Sequence, residues 1–179
     1  SWNLVTTFYN FERSIEYFVG LYGQKDSSEL RGAKVLYWSD VRIESATPTT
    51  DNALFMSLLQ SYVIVPFESL QLIPLAMNIG VIGHEVAHQV FNKKVLGGAG
   101  LHPALSWEYP TAFNLLKSMD EGLADFHGYS VTRLEQAGAR PKFLAVSVSD
   151  PETVAARDVS RNSACLNAPT RTAYQTFTS

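Results

Sequence analysis

The sequence predicts an α+β fold, a few short strands set among long helices. Three observations lead there. Apolar residues recur at three- and four-residue steps over residues 3–21, 75–94 and 111–136, the spacing of helices packed along one face. Between residues 33 and 67, short runs rich in branched and aromatic residues read as strands. Glycine, proline and Asp-Asn pairs separate these segments as turns do.

In chain order, Leu4, Phe8, Phe11, Ile15, Phe18 and Leu21 make the first helix, and Gly20 and Gly23 stop it. Residues 24–32 are polar and read as a loop. Val35, Tyr37, Val41 and Ile43 predict a strand within 33–44, and Thr47-Pro48 with Asp51-Asn52 a turn. One or two strands fit 53–67, with Pro66 at a strand end or sheet edge. A helix over 75–94 follows Pro74, a residue suited to a first turn, and Gly97, Gly98 and Gly100 end it. After a loop holding Pro103 and Pro110, a second long helix covers 111–136 and stops at Gly138 and Pro141. Residues 139–179 lack periodicity and read as an irregular flank.

The 179 residues suit a single domain, and 46% hydrophobic content supplies a core, which excludes intrinsic disorder. Fourteen basic against 17 acidic residues give a net charge of −3, with no basic stripe, so nucleic acid is not the expected partner. No apolar run reaches the roughly 18 residues of a membrane span. Cys165 is the single cysteine, so any metal must be held by histidine and carboxylate. The start at Ser1 suggests a processed product, and the expected location is secreted or extracytoplasmic.

The chemistry concentrates in His84-Glu85-Val86-Ala87-His88. Helical positions i and i+4 lie about 40° apart around the axis, so both imidazoles project from one face and can grip one Zn²⁺. Glu85 is swung to the side, where a carboxylate reaches a water rather than the ion. Leu75, Ile79, Ile82, Val86 and Val90 anchor the opposite face. Ala76, Gly80, Gly83 and Ala87 form a stripe of small residues next to the histidines. Two helix-interior glycines cost about 1 kcal/mol each, a loss that close approach of another element would offset.

A catalytic zinc needs a third protein ligand. Glu121 and Asp125 stand i and i+4 on the second long helix, with Leu116, Met119, Leu123 and Phe126 expected on its core-facing side. Glu121 is the expected ligand. Asp125, one turn on, is placed to accept the spare N–H of a ligand histidine. His102 is a competing loop ligand, and His127 reads as a packed or surface histidine.

With His84-Glu85-x-x-His88 and Glu121-Gly-Leu-Ala-Asp125 together, the sequence resembles the gluzincin branch of the zincin metallopeptidases, in particular thermolysin-like enzymes. Arg157-Asp158-Val159-Ser160 is similar to a stretch following the ligand helix in that branch. Asn52-Ala53-Leu54-Phe55 resembles its substrate-binding edge strand, which makes Asn52 and Ala53 candidate substrate contacts. The resemblance implies a zincin-like fold: a small mixed sheet with an edge strand beside an active-site helix, and a second, ligand-bearing helix. It implies a Zn²⁺-dependent endopeptidase acting on peptide or protein substrates, with His84, His88 and Glu121 on the metal, Glu85 as general base and Asp125 behind the ligands.

Such enzymes carry further C-terminal helices and a transition-state histidine, and no histidine follows His127 here. The expectation is therefore a domain lacking its closing helices, with the cleft completed by another chain or a precursor segment. Otherwise Tyr109 or Tyr129 serves as the oxyanion donor. Two alternatives accompany this reading. Glu-x-x-Ala-Asp-x-x-Gly followed by Ala137-Gly138-x-x-Pro141 is also similar to membrane-embedded zinc proteases of the prenyl-processing type. A non-catalytic zinc-stabilised binding domain is the alternative from a different class.

Overall fold

The computed structural model describes residues 2–23, 27–37, 52–65, 77–101 and 104–135. Their architecture is α+β, five helices with a three-stranded sheet: α1 Trp2–Tyr22, α2 Ser27–Arg31, β1 Lys34–Tyr37, β2 Asn52–Met56, β3 Ser61–Val65, α3 Ile79–Lys94, α4 Ala104–Glu108 and α5 Pro110–Glu135. The second part of the strand expected within 33–44, whose first part is β1, the end of the 53–67 segment, residues 75–76, and everything from 136 onward lie outside the described residues.

The sheet order is β1-β3-β2, with β1 parallel and β2 antiparallel to β3. All five residues of β3 are buried, as expected of a strand with a neighbour on each side. β2 and β3 form a hairpin through residues 57–60. Gln60 turns the chain at φ 45°, an uncommon conformation for a residue with a side chain. Its Nε2 donates to the Ser57 carbonyl at 2.6 Å and so braces the turn it strains.

Helix α3 is the hub. Asn78 caps it, its Oδ1 accepting from the Gly80 amide at 2.8 Å, and Lys93 and Lys94 sit in the last turn where the helix dipole favours cations. Val81, Ile82, Val86, Ala87 and Val90 pack with Phe11, Ile15 and Phe18 of α1, Leu30 of α2, Ala53 of β2, Tyr62 and Ile64 of β3, and Ala124 of α5. Asn10 of α1 ties the entry to α3 by donating to the Met77 carbonyl at 3.0 Å. At the exit the Gly98 amide donates to the Asn92 carbonyl at 2.8 Å, and Gly97, Gly98 and Gly100 all have positive φ. That conformation suits glycine alone without strain, and it turns the chain sharply off the helix.

Four expectations need correction. The 75–94 helix begins at Ile79, because Asn78 is extended and its side chain takes the capping role. The loop at 24–32 contains α2, whose Leu30 joins the core and supplies the apolar anchor for that turn. The loop around Pro103 contains α4, and Pro110 opens α5 at the position where a missing N–H costs nothing.

The fourth concerns α5. Met119, Leu123 and Phe126 are exposed, at 48%, 42% and 57%, and Leu116 is half-buried rather than core-facing. The side turned to α3 carries Asp120, Glu121, Ala124, Asp125, Gly128 and Val131 instead. Polar residues face inward because their partners, the histidines, are there. A Cβ built on Gly83 lies 3.3 Å from Val131 Cβ and 3.4 Å from Gly128 Cα. The small-residue stripe thus admits α5 to close contact, and Gly128 is its counterpart across the interface.

Candidate metal centre

Helical geometry puts His84 and His88 one above the other on the α3 face turned to α5. Their Nε2 atoms lie 3.0 Å apart. Glu121 Oε2 reaches in from α5 to 3.5 Å from His84 Nε2 and 3.7 Å from His88 Nε2. Three ligands held about 2.0–2.1 Å from a tetrahedral ion stand about 3.3 Å from one another. The observed triangle, one carboxylate oxygen and two imidazole nitrogens, matches that spacing and that donor set.

The far side of each imidazole is also arranged. His84 Nδ1 lies 2.9 Å from Asp125 Oδ1, and His88 Nδ1 lies 2.8 Å from Asp120 Oδ1. A carboxylate only accepts, so His88 Nδ1 is the donor to Asp120, the nearness of Asp125 asks the same of His84 Nδ1, and each Nε2 is left facing the centre of the triangle. Asp125 stands where the sequence reading placed it. Asp120 was missed. It precedes Glu121 in the same acidic segment, and a second ligand histidine in need of a partner was the signal that could have found it.

The electrostatics follow from these contacts. Burial disfavours a charged His84, but Asp125 and Glu121 outweigh it and push the group up to about 9. His88 is likewise disfavoured by burial and raised on balance by Asp120 and Glu85. Burial pulls Glu121 upward, yet the two histidines hold it down at about 2. Positive charge is therefore favoured at the centre of the triangle, where a divalent cation can take the place of the protons.

Glu85 stands beside the histidines, and one ligand atom from each of His84, Glu85 and His88 lies within 4.8 Å of the others, close enough to share a metal ion. The carboxyl is raised above its ordinary range, first by burial, against the opposing pull of His88 and His84. Its Oε2 accepts from the Phe55 amide at 2.6 Å. That bond turns the Phe55 N–H away from β3, so by strand alternation Ala53 and Phe55 direct their main-chain groups to the outer edge of β2. The Ala53 amide there is taken by Asn52 Oδ1 at 2.9 Å. Asn52 and Ala53 thus begin the outermost described strand on that side of the sheet, beside α3, with Ala53 itself in the core.

A cavity of 210 Å³ opens next to the triangle, lined by Phe55, Ser57, His88, Asn92, Leu96, Leu101, Asp120 and Glu121. Neither Tyr109 nor Tyr129 belongs to that lining, and Tyr109 is 61% exposed. His127 packs against Tyr17 and Phe18 of α1, its Nδ1 2.9 Å from the Tyr17 hydroxyl, and burial lowers its pKa. It has a structural place away from the triangle. His102, the Arg157–Ser160 stretch and the expected irregular flank lie outside the described residues. Among the described residues no helix is long and apolar enough to cross a membrane. No protein-family profile, curated protein or solved structure matches the chain.

Proposed function

We propose that the chain is a zinc-dependent endopeptidase with a zincin-like, gluzincin arrangement. The observation that carries the reading is the triangle of two Nε2 atoms and one carboxylate oxygen with a further buried carboxyl, Glu85, beside it. His84, His88 and Glu121 would hold the ion, and Asp125 and Asp120 would keep the imidazoles in the binding tautomer. The donor set suits Zn²⁺, which accepts imidazole and carboxylate in four-coordinate sites. When bound, such an ion supplies a Lewis acid that polarises a carbonyl and acidifies a water.

The remaining steps belong to the chain. Glu85 takes a proton from the attacking water and delivers it to the leaving amine nitrogen, work suited to a carboxyl raised by burial. The outer edge of β2 offers the Ala53 and Phe55 carbonyls to an extended peptide, and the Phe55 amide becomes a further donor when Glu85 turns to the water. Hydrolysis of denatured casein by the zinc-loaded protein tests the proposal, with Glu85→Gln as control. The variant should keep zinc and lose about 10²–10⁴-fold in rate. Equal activity in parent and variant would overturn the mechanism.

A second reading, a non-catalytic zinc-stabilised domain, draws on the Phe55–Glu85 bond, which gives Glu85 a structural task as well. It predicts zinc binding with no hydrolysis by the parent protein, and a loss of stability in Glu85→Ala, which leaves the Phe55 N–H without its acceptor.

A further inference from the structure

The cavity beside the triangle has the size for one side chain. Pockets for drug-sized ligands run to about 300–1,000 Å³, and this one is 210 Å³. Phe55, Leu96 and Leu101 supply apolar wall. Asp120 and Glu121 bring negative charge and Ser57 a hydroxyl.

Asn92, also in the lining, is 3% exposed, and its buried Nδ2 has no hydrogen-bond partner among the described residues. The identity of that atom is fixed by its neighbours. Gln60 donates through Nε2 to the Ser57 carbonyl at 2.6 Å, which can only accept. The same Nε2 lies 3.2 Å from the Asn92 side chain, so the Asn92 atom facing it must be the acceptor Oδ1. Two N–H donors are then left over on the other side. Gly100 stands beside them: a Cβ built there would lie 3.6 Å from Nδ2 and 2.9 Å from Ser57 Oγ. Only a glycine, in a turn of three positive-φ glycines, leaves that gap. Buried donors without a partner cost the free protein stability, and a ligand group that accepts from them recovers that cost.

We propose that this cavity is a substrate side-chain subsite selective for a carboxamide, glutamine or asparagine, and that Asn92 is its specificity-determining residue. The proposal rests on the zinc-peptidase reading, since the cavity matters because His88 and Glu121 form part of its wall. A carboxamide oxygen in the cavity accepts from Asn92 Nδ2 as that amide turns to it, and its NH₂ donates to Asp120 or Ser57. An alkyl side chain leaves the Asn92 donors unpaired. A carboxylate meets Asp120 and Glu121.

The test is calorimetric binding of N-acetyl-glutamine, N-acetyl-leucine and N-acetyl-glutamate hydroxamates to the protein after a zinc titration. Binding is read whether or not the protein turns over, and the hydroxamate places the side chain next to the metal. Glutamine should bind about tenfold more tightly than leucine, the worth of one satisfied buried donor, and glutamate most weakly. Asn92→Leu should erase the glutamine preference with melting temperature unchanged or raised, because Gln60 keeps the Ser57 carbonyl and an unpaired donor is removed. Asn92→Asp, nearly the same shape but without the donors, should erase it too if the leucine variant does not fold. Equal or tighter leucine binding by the parent, or a glutamine preference surviving in the variants, overturns the subsite. Zinc uptake with no hydroxamate binding also overturns it. Failure to take up zinc is read first in the titration and removes the metal reading, and this inference with it.

Discussion

Replacing Asp120 or Asp125 by asparagine probes the arrangement that distinguishes a ligand pair from two ordinary helix histidines. Each aspartate lies within 2.9 Å of an Nδ1. Asparagine keeps the shape and can still accept through Oδ1, so the imidazole stays in place. What is lost is the negative charge that raises the basicity of the ligand nitrogen. Removing such a partner typically weakens metal binding about 10–100-fold, or about 1.4–2.7 kcal/mol. The two aspartates serve different imidazoles from successive turns of α5, yet both act through one ion. Single variants should each fall in that range, and the double variant should approach the product without exceeding it. Zinc affinity is measured by competition with a chromophoric chelator, with Glu16→Gln on α1, an exposed and remote acid, as control. Affinity unchanged in both single variants would refute the reasoning, since it would mean that the Nδ1 contacts do not orient a ligand pair.

Gly83→Val should destabilise the fold by about 1–3 kcal/mol despite valine's better helix propensity, because Val131 and Gly128 already stand at 3.3–3.4 Å from a bare Cβ; the same variant should weaken zinc as α5 is wedged outward, and chemical denaturation with zinc titration checks both. His127, held neutral by burial, contributes stability that is fully present above its unfolded pKa near 6.5 and is lost as pH falls through its lowered folded value; the difference in melting temperature between parent and His127→Gln should therefore shrink on acidification from pH 7.5 to 5.

The features legible in the sequence are those that depend on local periodicity. The three long helices and the histidine face of α3 follow from spacing that no tertiary contact had to correct. The stripe containing Gly83 also read correctly, because two glycines inside a helix need a packing reason. The orientation of α5 did not. An amphipathic reading sends Met119, Leu123 and Phe126 inward by default, and it fails where polar side chains have buried partners on another helix. Asp120, the Phe55–Glu85 bond and the unpaired Asn92 amide were illegible for a related reason. Each depends on a meeting between segments more than 25 residues apart, and nothing in the local pattern of either segment records it.

The inward polar face of α5 also ties the site to the fold. Along the α3–α5 interface the contact changes character: Ala124, Gly128 and Val131 meet α3 by close packing, while Asp120, Glu121 and Asp125 meet it through the histidines. Buried carboxylates stabilise an interface only while paired, and here the partners are imidazoles whose charge depends on pH. A divalent ion would replace that variable charge with a fixed one and would join the two helices through three ligands. Binding would then add stability of RT ln(1 + [Zn²⁺]/Kd), about 2.7 kcal/mol at a hundredfold excess over Kd. The same three side chains would thus both set the chemistry and hold α5 in place. Substituting any one of them should cost the metal-loaded protein the ion's share of its stability along with its activity, whereas Glu85→Gln should cost the activity alone, since its amide oxygen still accepts from the Phe55 N–H.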